Sequence, residues 1–455
     1  MTKKQSSILI QINVPHTESH SLKESIGRRE GNVTIPPHRV EPFSETLSHS
    51  TAMNLSFIRC CTGPSDGVFN HHVCQNHQLV MDSIPADAHT REVFYVGGEY
   101  VDDGTGNETV YGQVYVEHLV PVRKPLQKYP VIFIPGSSRT GIDFLTTPAN
   151  NDNNTNSPTQ QSWSSHFLSL SHELYLIDPP FRGRSPWHPP THLSSSSSSS
   201  PYLTFGAASL QKAWATPPSS TQWPDSPPAG KGSPAFDHVM KSTHPQLANL
   251  AEEQSVAQKS LAALLDKIGK PVILLAHSMG CKIAWLLADA RPGLVRAIVA
   301  VEPAGPAFQM RGMGGLRKEP TVFGLTEVRL GFEPAVGEGG EGLRRRLVKP
   351  GEEGLLECWL QDDGEAGEVR KLVNLRRVEV LVVTGEGSPH RGYDWGTVEF
   401  LRQAGVEGVE HLVLRGEVGG VLERRGGGGN GHMMMLERNR GRIGEVLGEW
   451  VGRRV

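Results

Sequence analysis

Residues 272–290 read VILLAHSMGCKIAWLLADA. The apolar run ending at Leu275 suits a buried strand and the run from Gly280 suits a buried helix. The pentapeptide between them, Ala276-His277-Ser278-Met279-Gly280, therefore marks a sharp strand-to-helix turn. Such a turn lifts a serine hydroxyl above the sheet, and it needs small residues two before and two after the serine so that strand and helix can pass closely. Gly280 meets that need, and Ala276 replaces the usual glycine by a single methyl. Ser278 is the candidate nucleophile. The competing reading is an ordinary serine near a helix start, where serine is a favoured cap.

Outward from this turn, short apolar runs ending in Gly, Asp or Glu recur at 131–136 (VIFIPG), 173–178 (ELYLID), 295–303 (VRAIVAVEP), 378–386 (VEVLVVTGE) and 409–416 (VEHLVLRG). Continuous apolar runs of this length are what strands buried on both faces require. Helical patterns lie between them at 255–269, 280–290 and 397–405. Upstream, 94–101 and 112–121 flank the turn-rich DDGTGNET and read as an antiparallel hairpin. The alternation predicts an α/β fold, a doubly wound, mostly parallel sheet with an antiparallel N-terminal hairpin.

Residues 1–90 carry no sustained period and read as a poorly ordered segment ahead of one α/β domain over 91–455. Three stretches interrupt that domain. Residues 186–250 hold seven consecutive serines (194–200), many prolines and the aromatics Trp187, Tyr202, Phe205, Trp214 and Trp223. An insertion there, after a strand end, reads as a lid beside the site. The Gly/Glu/Arg-rich stretches 333–354 and 415–431 read as loops.

A nucleophilic serine needs a base, which this arrangement places between the last strand and the last helix. There lies GNGHMMMLERN (429–439) with His432, followed by a helix-period stripe of Leu436, Ile443, Val446, Leu447, Trp450 and Val451. An oxyanion hole needs backbone N–H donors after the serine and after an early strand. The amides of Met279 and Ser137 fit, the latter in the turn Pro135-Gly136-Ser137-Ser138. For the acid that orients the base, three carboxylates are candidates: Glu302 directly after the sixth strand, Glu386 close to the end of the seventh, and Asp394 farther along GEGSPHRGYD, where the loop would need to fold back. Pattern alone favours the seventh strand.

The net charge of −3 and pI near 6.7 offer no basic field for a phosphate backbone, so nucleic acid is not an expected partner. No apolar run reaches the eighteen residues of a membrane span. Ile8-Leu9-Ile10 is cut by Gln11, too short for a signal-peptide core, which makes the cytoplasm the default expectation. The cluster of Cys60, Cys61, His71, His72, Cys74 and His77 matches no tetrahedral ligand spacing, and no metal is expected there. GEGGEG (337–342) fits a dinucleotide fingerprint in letters alone, because no strand precedes it.

The strand ending in PG, the phrase DPPFRGRS (178–185), AHSMG, VEP (301–303) and GNGHMMM together resemble the α/β-hydrolase superfamily, AB-hydrolase type. More narrowly, YLIDPPFRGRSPWHP and DARPGLVRAIVAVEPAGPAF are similar to a group of esterases whose acid is a glutamate directly after strand six. The likeness runs from about residue 92 to the C-terminus, outside the low-complexity insertions. It implies Ser278, Glu302 and His432 as a triad acting on a small-molecule carboxylic ester, with no cofactor. An acyltransferase or thioesterase would use the same triad, and a non-catalytic binding protein could keep the scaffold. Some members brace the oxyanion loop with adjacent cysteines; here Ser137-Ser138 stand instead. A chain starting near Thr90 is expected to stay soluble and to hydrolyse p-nitrophenyl esters at the full-length rate, measured by release of p-nitrophenol.

Overall fold

The structure, a computed structural model, describes residues 85–455 except 104, 146–160, 187–200, 213–221, 226–228, 313–314, 317–319, 364–367, 416, 419–420 and 423–428. The first 84 residues, with their Cys and His cluster, lie outside the described residues, as does the polyserine run.

Eight strands form the central sheet: β1 (His89–Val96), β2 (Val114–Pro121), β3 (Val131–Ile134), β4 (Leu174–Asp178), β5 (Val272–His277), β6 (Val295–Val301), β7 (Glu379–Gly385) and β8 (Gly408–Leu414). Their order is β1-β2-β4-β3-β5-β6-β7-β8. The β1–β2 and β2–β4 pairs are antiparallel and every other pair is parallel. The mostly parallel sheet with an antiparallel start expected from the sequence is the one found.

The continuous apolar runs sort their side chains by alternation. On β5, Val272, Leu274 and Ala276 enter one core, and Ile273 and Leu275 enter the other. The first core is closed by three helices, α3 (Leu250–Ile268), α4 (Gly280–Ala290) and α5 (Asp394–Gln403). The second is closed by α1 (Trp163–Ser169), α2 (Pro234–Lys241) and α6 (Arg440–Arg454). Helix α4 has the bounds expected. Helix α3 starts five residues before the expected Ser255 because Asn249 caps it, its side chain accepting from Glu252 N–H at 3.2 Å. None of the described helices is long and apolar enough to cross a membrane.

Three expectations need correction. The hairpin consists of two ladders: β1 pairs with β2, while Glu99–Asp102 pairs with Glu108–Tyr111 in a separate two-stranded sheet. Strand β1 also begins at His89, and Val122 N–H bonds Ala88 O at 2.9 Å, so a shortened chain should start at Pro85 rather than Thr90 to keep the edge intact. Residues 333–354, expected as a loop, contain a strand, Arg345–Val348, paired antiparallel with Cys358–Gln361. Their composition suggested a flexible linker, but Leu343, Leu360 and Phe332 bury against the first core and hold them.

The chain leaves β3 toward β4 on one side, while β5 lies on the other, so a crevice opens at the C-terminal ends of β3 and β5. There α4 starts. A Cβ on Gly280 would stand 2.6 Å from both Ile134 O and Pro135 O, backbone atoms that have nowhere to retreat. Gly280→Ala is expected to destabilise the fold by about 1–3 kcal/mol, the range for overpacking a filled interior, read as a lower denaturation midpoint in urea.

Candidate active site

Three strand ends meet in this crevice, and each carries a non-glycine residue in the left-handed region: Ser138 (φ 58°) after β3, Ser278 (φ 53°) after β5 and Glu302 (φ 48°) after β6. Each such residue costs about 1–3 kcal/mol and persists only where its surroundings fix it. For Ser278 the fixing bonds are visible. Its N–H donates to Val301 O at 2.9 Å, and its carbonyl accepts from Cys281 N–H at 3.0 Å and Ala304 N–H at 3.1 Å. The turn is thereby tied to the end of β6, with Ser278 half-buried at the crevice.

Glu302 is fully buried. Its Oε1 accepts from Gly385 N–H at 2.8 Å, and its Oε2 accepts from Ser388 Oγ at 2.6 Å and lies 2.8 Å from His432 Nδ1. An ionised carboxylate only accepts, so the His432 proton belongs on Nδ1 and Nε2 is the basic nitrogen. The loop of His432 is itself braced. Gly431 N–H donates to Glu437 Oε1 at 2.6 Å, Asn430 Nδ2 bonds Glu437 and Asn439, and all three of these side chains are buried. His277 Nε2 donates to His432 O at 3.0 Å, and the two rings lie 4.6 Å apart. Burial, with His432 adding to it, pushes the His277 imidazole well below its ordinary pKa, so it acts as a neutral donor.

The seventh-strand carboxylates bond elsewhere. Glu386 pairs with Arg391 at 3.2 Å and Arg415 at 3.3 Å. Asp394 is buried, with Oδ2 accepting from Thr384 Oγ1 at 2.6 Å and Oδ1 3.0 Å from His390 Nδ1. Burial raises its carboxyl well above the usual range, against the Thr384 bond and the His432 charge. His390 in turn stacks on His432, ring centroids 4.9 Å apart at 20°, and burial lowers its pKa to about 3. It therefore presents a neutral face to His432 at any working pH. His390 and Ser388 went unread in the sequence although both lie in GEGSPHRGYD; the spacing of four between His390 and Asp394 was the available signal.

Glu302, His390 and His432 bring three metal-ligand atoms within 4.8 Å of one another. The 2.8 Å between Glu302 Oε2 and His432 Nδ1 is shorter than the roughly 3.3 Å that two ligands keep around a tetrahedral zinc. The contact is a hydrogen bond.

At the end of β3, the turn 136–139 closes with Arg139 N–H on Gly136 O at 3.2 Å. The positive φ at Ser138, its third position, is the mark of a type II turn. A Cβ on Gly136 would stand 2.9 Å from His277 Nδ1 and 3.0 Å from Ser278 Cβ, so this glycine lets the turn close on the serine. Ser138 N–H is taken by Gln246 Oε1 at 2.8 Å, and His244 N–H donates to Ser138 O at 2.9 Å. No hydrogen bond to the N–H of Ser137 or Met279 is found among the described residues. Both amides remain available to an incoming anion. Gln246 and His244 belong to the insertion expected over 186–250, whose Gln222 O and Pro224 O also accept from Arg438 N–H and Nη2 at 2.9 and 2.8 Å. Trp223 is buried in the second core; Trp187 and Trp214 lie outside the described residues.

A family model described as alpha/beta hydrolase fold matches residues 129–318, which take in Ser137, Ser278 and Glu302. A fungal protein named "Probable secreted lipase phiG" is 36% identical over 367 residues, 80% of this chain and 90% of its own. Among solved structures, that of a novel bacterial esterase aligns with a TM-score of 0.51 at 19% identity, covering 80% of this chain and 95% of its own. At that identity the likeness is one of fold.

Proposed function

The chain belongs to the alpha/beta hydrolase fold family, and on that premise we propose that it is a serine esterase with Ser278 as nucleophile, His432 as general base and Glu302 as the acid that orients it. It is a hydrolase of the lipase and esterase type. The observation that carries the finer mechanism is the 2.8 Å contact between His432 Nδ1 and the buried Glu302 Oε2. It directs Nε2 outward and opposes the positive charge that the ring acquires on taking a proton.

Ser278 Oγ attacks the ester carbonyl while its proton passes to His432 Nε2. The tetrahedral oxyanion is received by the N–H groups of Ser137 and Met279. His432 then gives the proton to the leaving alcohol, and the acyl group stays on Ser278. Water repeats the sequence and frees the acid. The insertion over 186–250 is proposed as the lid: its contacts to Ser138 and Arg438 set it against the β3 and β8 loops. The relative's name, a lipase, makes a hydrophobic acyl chain the first substrate class to try.

A fluorophosphonate probe is expected to label Ser278 at neutral pH, because only a serine activated by a base reacts in this way. Undiminished labelling of Ser278→Ala, followed by in-gel fluorescence, would refute the assignment. Glu302→Gln is expected to lower kcat by roughly 10⁴-fold with the fold intact, as for a triad acid turned into its amide. Glu386→Gln should be near wild type and Asp394→Asn should lose far less than Glu302→Gln; turnover of p-nitrophenyl butyrate decides, and a collapse in Asp394→Asn with Glu302→Gln active would move the acid to the seventh strand.

A further inference from the structure

The phrase DPPFRGRS after β4 supplies no member of the triad, yet it sends one side chain to the oxyanion loop. Arg182 is buried, its Nη1 donating to Gly136 O at 2.6 Å and to Arg139 O at 3.3 Å. Its Nη2 is ion-paired with Glu253 of α3, which is buried as well. Gly136 C=O and Ser137 N–H are the two ends of one peptide unit, planar and trans. In a trans peptide the N–H points opposite to the carbonyl, so a cation fastened to the oxygen sets where the hydrogen aims.

Resting on the esterase reading above, we propose that Arg182 is the positioning residue of the oxyanion hole: clamped by Glu253, it fixes the plane of the Gly136–Ser137 peptide and strengthens Ser137 N–H as a donor to the tetrahedral intermediate. The second donor shows why one is needed. Met279 N–H shares its peptide with Ser278 C=O, which two backbone N–H groups hold at 3.0 and 3.1 Å. The Gly136 carbonyl has one backbone donor, Arg139 N–H, at 3.2 Å, in a turn closed by the strained Ser138. A single backbone bond of that length leaves the plane room to tilt, and an oxyanion donor must lie within about 2.7–3.1 Å of the developing charge. The charge-assisted bond from Arg182 locks the plane and polarises the amide cooperatively. As a stability device the pair is poor. Buried ion pairs often gain nothing over apolar residues, and here Arg182 Nε and Glu253 Oε2 have no hydrogen-bond partner among the described residues. Its place against the loop gives it a reason to exist.

Arg182→Met tests the role, alongside Arg182→Met/Glu253→Leu, which removes both charges and leaves none buried alone. Active sites are titrated with a fluorophosphonate and folding is followed by thermal unfolding. The expected result in folded protein is a fall in kcat of roughly 10- to 100-fold at unchanged KM, less than the roughly 10²–10³ of deleting a donor. Inhibition by a trifluoromethyl ketone, whose tetrahedral adduct puts an oxyanion in the hole, should weaken by the same factor, while a non-hydrolysable ether analogue of the substrate binds as before. Wild-type kcat in a folded variant overturns the proposal, and so does an equal loss of ether binding. Failure of both variants to fold also overturns it, by assigning Arg182 to the fold. Loss of the esterase reading itself would show differently, as activity that survives Ser278→Ala.

Discussion

Helix α4 crosses the end of β3 at a separation that admits no side chain, and the site follows from that crossing. Because Gly280 lies against Ile134 and Pro135 carbonyls, the chain between β5 and α4 has room for only a tight turn, and Ser278 takes the left-handed conformation at its apex. The same crowding brings Gly136 onto Ser278, so the β3 turn and the serine turn face each other with unbonded amides between them. The strain is offset by the apolar cores on both sides of the sheet, in which β5 and α4 are almost wholly buried. A fold of this depth can hold a few residues in costly conformations where chemistry needs them.

Two histidine–carboxylate pairs lie side by side, half-buried His432 with Glu302 and buried His390 with Asp394, and their surroundings separate them. Glu302 receives Gly385 N–H and Ser388 Oγ in addition to its contact with His432. Asp394 has Thr384 and His390, and burial dominates its behaviour. The ring of His390, neutral because burial forbids its charge, packs flat on His432 and restricts it to the orientation the Glu302 contact selects. Glu302 thus has three hydrogen-bonding partners and Asp394 two.

Much of the sheet was legible because strands covered on both faces spell themselves as unbroken apolar runs, and α4 was legible because its start is announced by the glycine after Met279. Ser278, His432, Ser137 and Met279 could be located from their places relative to strands. Local pattern could not tell which carboxylate meets His432: Glu302 follows β6 directly and Asp394 opens α5 beyond β7, and what separates them is a hydrogen bond to a residue 130 positions from Glu302. Gln246, 108 positions from Ser138, escaped for the same reason. The start of α3 was missed because polar residues, Glu252 to Gln254, fill its first turns, and the ladder at Arg345–Val348 was masked by the glycines around it.

The bond from Gln246 to the Ser138 amide also bears on how the insertion could be exchanged. An exchange of the insertion after β4 as a cassette would have to respect its contacts with the rest of the domain. Its seam with the rest of the domain, however, lies beyond Gln246, at the Asn249 cap of α3, because Gln246 answers to the β3 turn as well as to its own segment. A cassette that brought a new insertion but no acceptor here would leave a buried N–H without a partner, at about 1–3 kcal/mol, within the turn that holds Ser137. Replacement of the insertion is therefore coupled to the β3 turn by a single amide side chain, and a replacement segment must carry that glutamine, or an equivalent acceptor, with it.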